Sequence, residues 1–428
     1  LSDKVKVVFV EGKSNKYMGN DVSNLQLVKK LNRISILNII REHNTISRQQ
    51  LAKLTGLTPA AITGIVRDLV ALGYVIEKGL GKSSGGRRPV KLQFNPASGY
   101  ILGAEITRNN TTLGMVNLGA EPLIIKQYSI DMTEPQRGLA LLADETQKMI
   151  IESGVDKKKI FGMGVAYPGL VDISTRVVKR SPNLGKKWRD IPIEKWLQEM
   201  IGIRVFVENN SNAAALAEYS FGLGKETKNM AYINLGEGIS AGIILNGMLA
   251  YGFKGYTGEI GHLVINEDGP LCNCGNNGCL ESLYAVPALV RKANNELALY
   301  NQKDPLKALW LENGNVTIED IIANANETDS YAWKLIRQAG WHIGKGVAAI
   351  INVFNPEAIF IGGILTEAGN ILLEPLRESV QKHAFPELVR EVKIELSSMR
   401  RDTGFYGACA VTIRALFEGG VDALLDVY

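Results

Sequence analysis

The chain has 428 residues, 46% of them hydrophobic and 21% charged, with a net charge of +4, which is enough for two or three domains with apolar cores. It has no uninterrupted apolar run of about 18 residues, which excludes a membrane-spanning helix of the usual kind. Leu1-Ser2-Asp3-Lys4 lacks the apolar core of a signal peptide, so a cytoplasmic location is expected. The charge is unevenly placed: residues 21–95 hold 12 Lys+Arg against 4 Asp+Glu, which leaves residues 96–428 acidic and points to a polyanion partner for the basic part.

Residues 1–19 carry no motif, although Val5 to Val10 has the apolar run of a strand. Residues 20–95 read as one basic unit. Leu27, Leu31, Ile34, Leu37 and Ile40 have the spacing of a supporting helix. Ser47-Arg48-Gln49-Gln50 is a capping box, in which the serine hydroxyl takes a free backbone N–H while the glutamine reaches back to the cap, so a helix starts there. Leu51 and Leu54 are expected to give that helix its apolar face. Thr55-Gly56-Leu57 makes a short turn, and Thr58-Pro59 opens the next helix with a threonine cap and a proline in first position. Two short helices so joined read as helix-turn-helix.

In the second helix Ile62, Ile65, Val66, Leu69 and Val70 recur with helical period and face inward, leaving Ala60, Ala61, Thr63, Gly64 and Arg67 outward. A small, polar face lets a helix sit deep in the major groove, so Arg48, Thr58, Ala60, Thr63 and Arg67 are the candidate DNA contacts. Tyr74–Glu77 and Val90–Phe94 look like the strands of a wing. The glycine-rich loop between them presents Arg87 and Arg88, which suit a narrow minor groove.

Past Pro96, apolar strands alternate with helices: Ile101–Ile106, Leu113–Leu118, Ile160–Val165, Val205–Val207, Met230–Leu235 and Ile359–Ile361. Such alternation predicts an α/β body over residues 96–428. Between Gly258 and Glu281 lie three of the four cysteines, Cys272, Cys274 and Cys279, beside His262, one of four histidines. Three thiolates and one imidazole fill a closed tetrahedral shell, the pattern of structural Zn2+. Glycine and asparagine in Cys274-Gly275-Asn276-Asn277-Gly278-Cys279 allow the tight loop such a site needs.

Gly258-Glu259-Ile260-Gly261-His262, followed by Cys272-x-Cys274-Gly275-x-x-Gly278-Cys279-x-Glu281, resembles the signature of the ROK family of repressors, open reading frames and sugar kinases. The order of the head, including Gly85-Gly86-Arg87-Arg88-Pro89, is similar to the winged helix-turn-helix of ROK repressors. The resemblance implies a two-lobed actin-like or hexokinase-like (ribonuclease H-like) body. It implies a monosaccharide held by Gly169, Asn209, Asn210, Glu259, His262 and Glu281, and zinc held by His262, Cys272, Cys274 and Cys279. It also implies palindromic operator DNA as partner and a homodimer or dimer of dimers.

Against the kinases of the family, the chain departs at three places. Their Asp-x-Gly-Gly-Thr turn is here Glu105-Ile106-Thr107-Arg108-Asn109, and their glycine-rich second phosphate loop is Gly236-Glu237-Gly238-Ile239-Ser240-Ala241-Gly242. Their catalytic aspartate is Asn210, a neutral amide that cannot take a proton from a sugar hydroxyl. A sugar-responsive regulator without kinase activity is therefore expected, released from DNA by its sugar. The alternative is an active ATP-dependent sugar kinase that carries a DNA-binding head.

Overall fold

The computed structural model describes residues 21–80, 88–108, 110–399 and 402–418. The chain begins with helices α1 (Asp21–Glu42), α2 (Arg48–Thr55) and α3 (Pro59–Ala71) and strands β1 (Ile46–Ser47), β2 (Val75–Leu80) and β3 (Val90–Phe94), the strands in the order β1-β3-β2. The capping box forms as expected: the Ser47 hydroxyl accepts from the Gln50 N–H, and the Gln50 side chain accepts from the Ser47 N–H at 2.9 Å. Gly56 closes α2 in the left-handed region at φ 71°, and Thr58 caps α3 by accepting from the Ala61 N–H at 3.2 Å. The chain thereby turns through 119° between α2 and α3, a helix-turn-helix angle.

Ile62, Val66 and Leu69 are buried, with Ile65 and Val70 at the margin of the core. Two expected core positions differ. Leu54 is 59% exposed, because the inward stripe of the short α2 is Leu51 and Thr55, one turn apart, and Leu54 falls outside it. Leu31 is 44% exposed on α1, where Ile34 is the first buried residue from position 28 onward; the Leu27 side chain lies outside the described residues. Strand β1 carries no sequence signal of its own; its two residues pair with Leu92 and Lys91 of β3.

The body holds two five-stranded sheets of the same design. In the first lobe β4 (Tyr100–Ile106), β5 (Thr111–Asn117) and β6 (Pro122–Tyr128) form an antiparallel meander, extended by β7 (Ile160–Tyr167) and β11 (Val205–Asn209) in parallel, in the order β11-β7-β4-β5-β6. Strands β8 (Leu170–Asp172), β9 (Val177–Arg180) and β10 (Arg189–Ile191) make a small side sheet. In the second lobe β12 (Met230–Leu235), β13 (Ile239–Leu245) and β14 (Met248–Leu249) are the meander, and β15 (Ala358–Gly362) and β16 (Lys393–Leu396) the parallel extension. Every residue of β7 and β15 is buried, as befits parallel strands covered on both faces. Helices α4 (Pro135–Ser153) and α5 (Ile193–Ile201) belong to the first lobe, with α6 (Asn210–Phe221) following β11. The second lobe adds α7 (Leu280–Tyr284), α8 (Val286–Leu299), α9 (Pro305–Asn313), α10 (Ile318–Ala323), α11 (Tyr331–Phe354), α12 (Asn370–His383) and α13 (Pro386–Val389).

The last helix, α14 (Thr403–Glu418), ties the molecule together. It packs on β4, β7 and α6, and α6 in turn packs on β12 and β13 of the second lobe. A Cβ on Gly407 would lie 2.5 Å from the Ala213 carbonyl group, so only glycine permits this approach of α14 to α6. Cys409, Ile413, Leu416 and Phe417 of α14 share one buried cluster with Ile36, Leu37, Ile40, Ile62 and Val66 of the head. The Phe417 ring stands edge-on to Phe94 with centroids 6.0 Å apart and lies under the Arg41 guanidinium at 4.1 Å. Its carbonyl accepts from the Asn38 amide at 2.9 Å. Head and first lobe therefore have a common core.

Candidate functional site

The segment after β14 folds back on itself. Val264 bridges to Cys279 and Leu271 to Asn277, while the Gly275 N–H donates to the Cys272 carbonyl at 2.9 Å. Gly278, at φ 64°, lies so close to Asn266 that a Cβ would meet its carbonyl oxygen at 1.4 Å; no other residue fits. This loop brings together all four sequence-predicted ligands: the ligand atoms of His262, Cys272, Cys274 and Cys279 lie within 4.8 Å of one another. Cys272 Sγ is 3.6 Å from His262 Nδ1, and Cys274 Sγ is 3.6 Å from Cys279 Sγ. Sulfurs about 2.3 Å from a tetrahedral ion stand roughly 3.8 Å apart, so the cluster has the size of one coordination shell. Burial and then the neighbouring Cys274 and Cys272 thiols push the Cys279 thiol up to about 12. Thiols of this kind ionise as a metal ion binds, so the cluster could hold one.

Beyond the cluster, His262 Nε2 faces the Glu259 carboxylate at 3.7 Å. Burial holds Glu259 above the ordinary carboxylate range, with His262 lowering it and Glu281 raising it further. Glu281, in the first turn of α7, accepts from the Ile239 N–H at 3.1 Å. These three side chains belong to the second lobe. In the first lobe the Asn209 amide donates to the Gly169 carbonyl at 2.9 Å, and its oxygen caps α6 by accepting from the Ser211 N–H at 2.8 Å. Asn210 begins α6; its nitrogen reaches the Ile106 carbonyl at 3.5 Å, and its buried oxygen has no partner. The two sets are joined at the base by a hydrogen bond between the Ser211 and Ser240 hydroxyls. Asn183 stands beside Gly238, next to the Glu281 carboxylate.

At the first departure from the kinase pattern the hairpin is closed on itself. The Thr107 N–H and hydroxyl both donate to the Asn110 carbonyl, at 2.9 and 2.7 Å, so neither points toward a ligand; Asn109 lies outside the described residues. Glu237 is exposed on the second loop. Glu105 packs against the start of α14, where a Cβ on Gly404 would collide with its carboxylate; burial, reinforced by Asp402 and opposed by the Phe405 N–H, pushes it up to about 7.

On the head, the cap residue Thr58 and Ala60, Thr63 and Arg67 of α3 are all exposed. The Arg67 side chain is 80% exposed, 3.7 Å from Asp68, whose carboxylate is held mainly by Arg33. Arg48 pairs with Glu77 of β2 at 2.6 Å, which ties the start of α2 to the wing. Arg88 is exposed at the foot of β3, whereas Arg87 lies outside the described residues.

The sequence profile of the ROK family matches residues 102–415. The chain belongs to the ROK family. A winged helix-turn-helix DNA-binding profile matches residues 30–76 of the same ROK chain. The xylose repressor of Caldicellulosiruptor bescii is 32% identical over 393 residues, covering 92% of this chain and 98% of that one. The N-acetylglucosamine repressor of Escherichia coli O6:H1 is 30% identical over 404 residues, covering 93% and 96%. A crystal structure of a ROK family transcriptional regulator, a homologue of the E. coli MLC protein, superposes with a TM-score of 0.81 at 30% identity, covering 94% of this chain and 99% of that one. A ROK glucokinase from Streptomyces griseus, solved with glucose and AMPPNP, superposes at 0.63 and 27% identity over only 72% of this chain. No single helix among the described residues is long and apolar enough to cross a membrane.

Three residues of this ROK chain escaped the sequence reading. Glu208 is 3% exposed at the end of an apolar strand, a carboxylate out of place by composition and thus a readable signal. Its partner Tyr251, and Arg180 beside the cysteine loop, gave no such signal, because their contacts are long-range.

Proposed function

We propose that this ROK protein is a DNA-binding transcriptional regulator, a repressor released from a palindromic operator by a monosaccharide, that transfers no phosphate. The observation that carries this reading is Asn210: a neutral amide stands where a base is required, and its buried oxygen is left without a partner, ready for a sugar hydroxyl. Gly169, Asn209, Glu259, His262 and Glu281 would complete the sugar site, carboxylates accepting from adjacent hydroxyls. The closed hairpin at Thr107 and the exposed carboxylate of Glu237 argue further against a bound nucleotide, which needs free N–H groups and no negative charge.

His262 Nδ1 and the sulfurs of Cys272, Cys274 and Cys279 would hold a structural zinc ion, which when bound neutralises the thiolates and fixes the loop between Glu259 and Glu281. With Nδ1 on the metal side, Nε2 is left toward the sugar and Glu259. Thr58, Ala60, Thr63 and Arg67 would enter the major groove, with Arg48 braced by Glu77, while Arg87 and Arg88 reach the minor groove. A homodimer or dimer of dimers would supply the symmetry of the operator.

The test is DNA selected by the purified protein from a random pool, followed by titration of xylose and N-acetylglucosamine against the complex. Release by either sugar, lost in Glu259→Ala with DNA affinity kept, is the expected result. Sugar binding with no effect on DNA affinity across saturation would overturn it.

A further inference from the structure

At the back of the body the lobes are joined through α6 and α14, whose contact at Gly407 is tight and apolar. Between the first lobe and the segment after β14 the lobes meet again, through several polar contacts and through the Ile173 side chain against Gly255. The Tyr251 hydroxyl, in the segment after β14, donates to Glu208 Oε2 of the first lobe at 3.0 Å. The other oxygen of Glu208 accepts from the Asn209 N–H at 2.8 Å and from the Asn212 amide at 3.0 Å, so the same carboxylate bonds both the opposite lobe and the first turn of α6. Farther out, Arg180 at the end of β9 donates to the carbonyl of Asn273, between two of the cysteines, at 2.8 Å. The Ile173 N–H donates to the Lys254 carbonyl at 3.2 Å, again from first lobe to second.

We infer that Tyr251 and Arg180 form a two-point latch that holds the lobes closed over the sugar site, with the cysteine loop as one jaw. This rests on the sugar-site reading above and adds the device that regulates it. Arg180 is exposed and can exchange its partner for water when the lobes part, whereas Tyr251 is mostly buried and its hydroxyl gains water only as it leaves the buried Glu208 carboxylate. Reversible closure requires contacts of that kind, and the apolar contact at α6 and α14 serves as the hinge. Glu208 is the part that transmits. It precedes the cap of α6, so opening the Tyr251 bond changes the start of a helix that lies against α14, and α14 ends in the core of the head. Tyr251 and Arg180 act through closure; they are positioning residues.

The test uses the full-length, zinc-loaded protein and the variants Tyr251→Phe, Arg180→Gln and Arg180→Lys. Amide hydrogen exchange is followed without sugar over residues 170–176, where the Ile173 N–H reports directly on lobe contact. Exchange there should quicken in Tyr251→Phe and Arg180→Gln and stay near wild type in Arg180→Lys, which keeps a donor, with metal content unchanged in all three. Calorimetry with xylose and N-acetylglucosamine should show about tenfold weaker binding in Tyr251→Phe, the loss of a hydrogen bond to a carboxylate. Unaltered exchange in both Tyr251→Phe and Arg180→Gln overturns the latch. Quickened exchange in a protein that binds neither sugar supports the latch and overturns the sugar reading.

Discussion

Phe417→Ala tests whether head and body are one cooperative structure. The side chain is 2% exposed, edge-on to Phe94 and under the Arg41 guanidinium at 4.1 Å. Truncating a buried phenylalanine costs about 3–5 kcal/mol through lost transfer energy and the cavity left behind. The aromatic pair contributes roughly 1 kcal/mol and the cation a similar amount, both within that range. Because the ring sits where head and α14 meet, the loss falls on their junction, and the temperature of the first unfolding transition should drop by roughly 10 °C. Differential scanning calorimetry should show the head melting together with the first lobe in the wild type and ahead of it in the variant. A single transition shifted by less than about 2 °C would refute the shared core, since a peripheral phenylalanine costs that little.

Cys274→Ser should abolish stoichiometric zinc by elemental analysis and lower thermal stability and sugar affinity together, because the loop that carries Glu281 loses one of four ligands. A coupled assay should find no sugar-dependent ATP consumption, and Asn210→Asp should not restore it, since the Thr107 N–H remains engaged by Asn110. Glu105 gives a pH dependence of defined sign: its carboxyl ionises near 4.5 in the unfolded chain and at about 7 in the folded one. The stability it contributes when neutral is full below about 4.5 and is lost as pH rises to about 7. The urea midpoint of wild type should fall across that interval relative to Glu105→Gln, and parallel curves would show that Glu105 does not titrate there.

What the sequence made legible was local. The capping box at Ser47, the glycine turn at Gly56 and the threonine–proline start at Thr58 each depend on neighbours within four residues, and each forms as read. The cysteine cluster was legible for the same reason: the side chains that the structure gathers, His262, Cys272, Cys274 and Cys279, are close in the chain and chemically unusual. Leu54 was misjudged because an eight-residue helix has a single inward stripe, and its direction is set by α1 and α3, not by its own period. The bonds of Tyr251 to Glu208 and of Arg180 to Asn273 span 43 and 93 residues, and no periodicity reports a pairing at that range. The residues proposed for the sugar site were reached by resemblance and not by spacing.

The last turn of α14 makes the head a poor candidate for transplantation. Ile413, Leu416 and Phe417 lie more than 300 positions beyond the helices they support, yet they fill the same interior as Ile36 and Leu37. A chimera that joins this head to another body at a seam near residue 95 would inherit the exposed face of α3 and lose the floor beneath it. On the DNA reading proposed above, retargeting calls for exchanging side chains on the outer face of α3, or for moving the head together with the terminal helix as a matched pair. A substitution at Phe94 or at Phe417 therefore disturbs one shared interior, although the two rings are far apart in the chain.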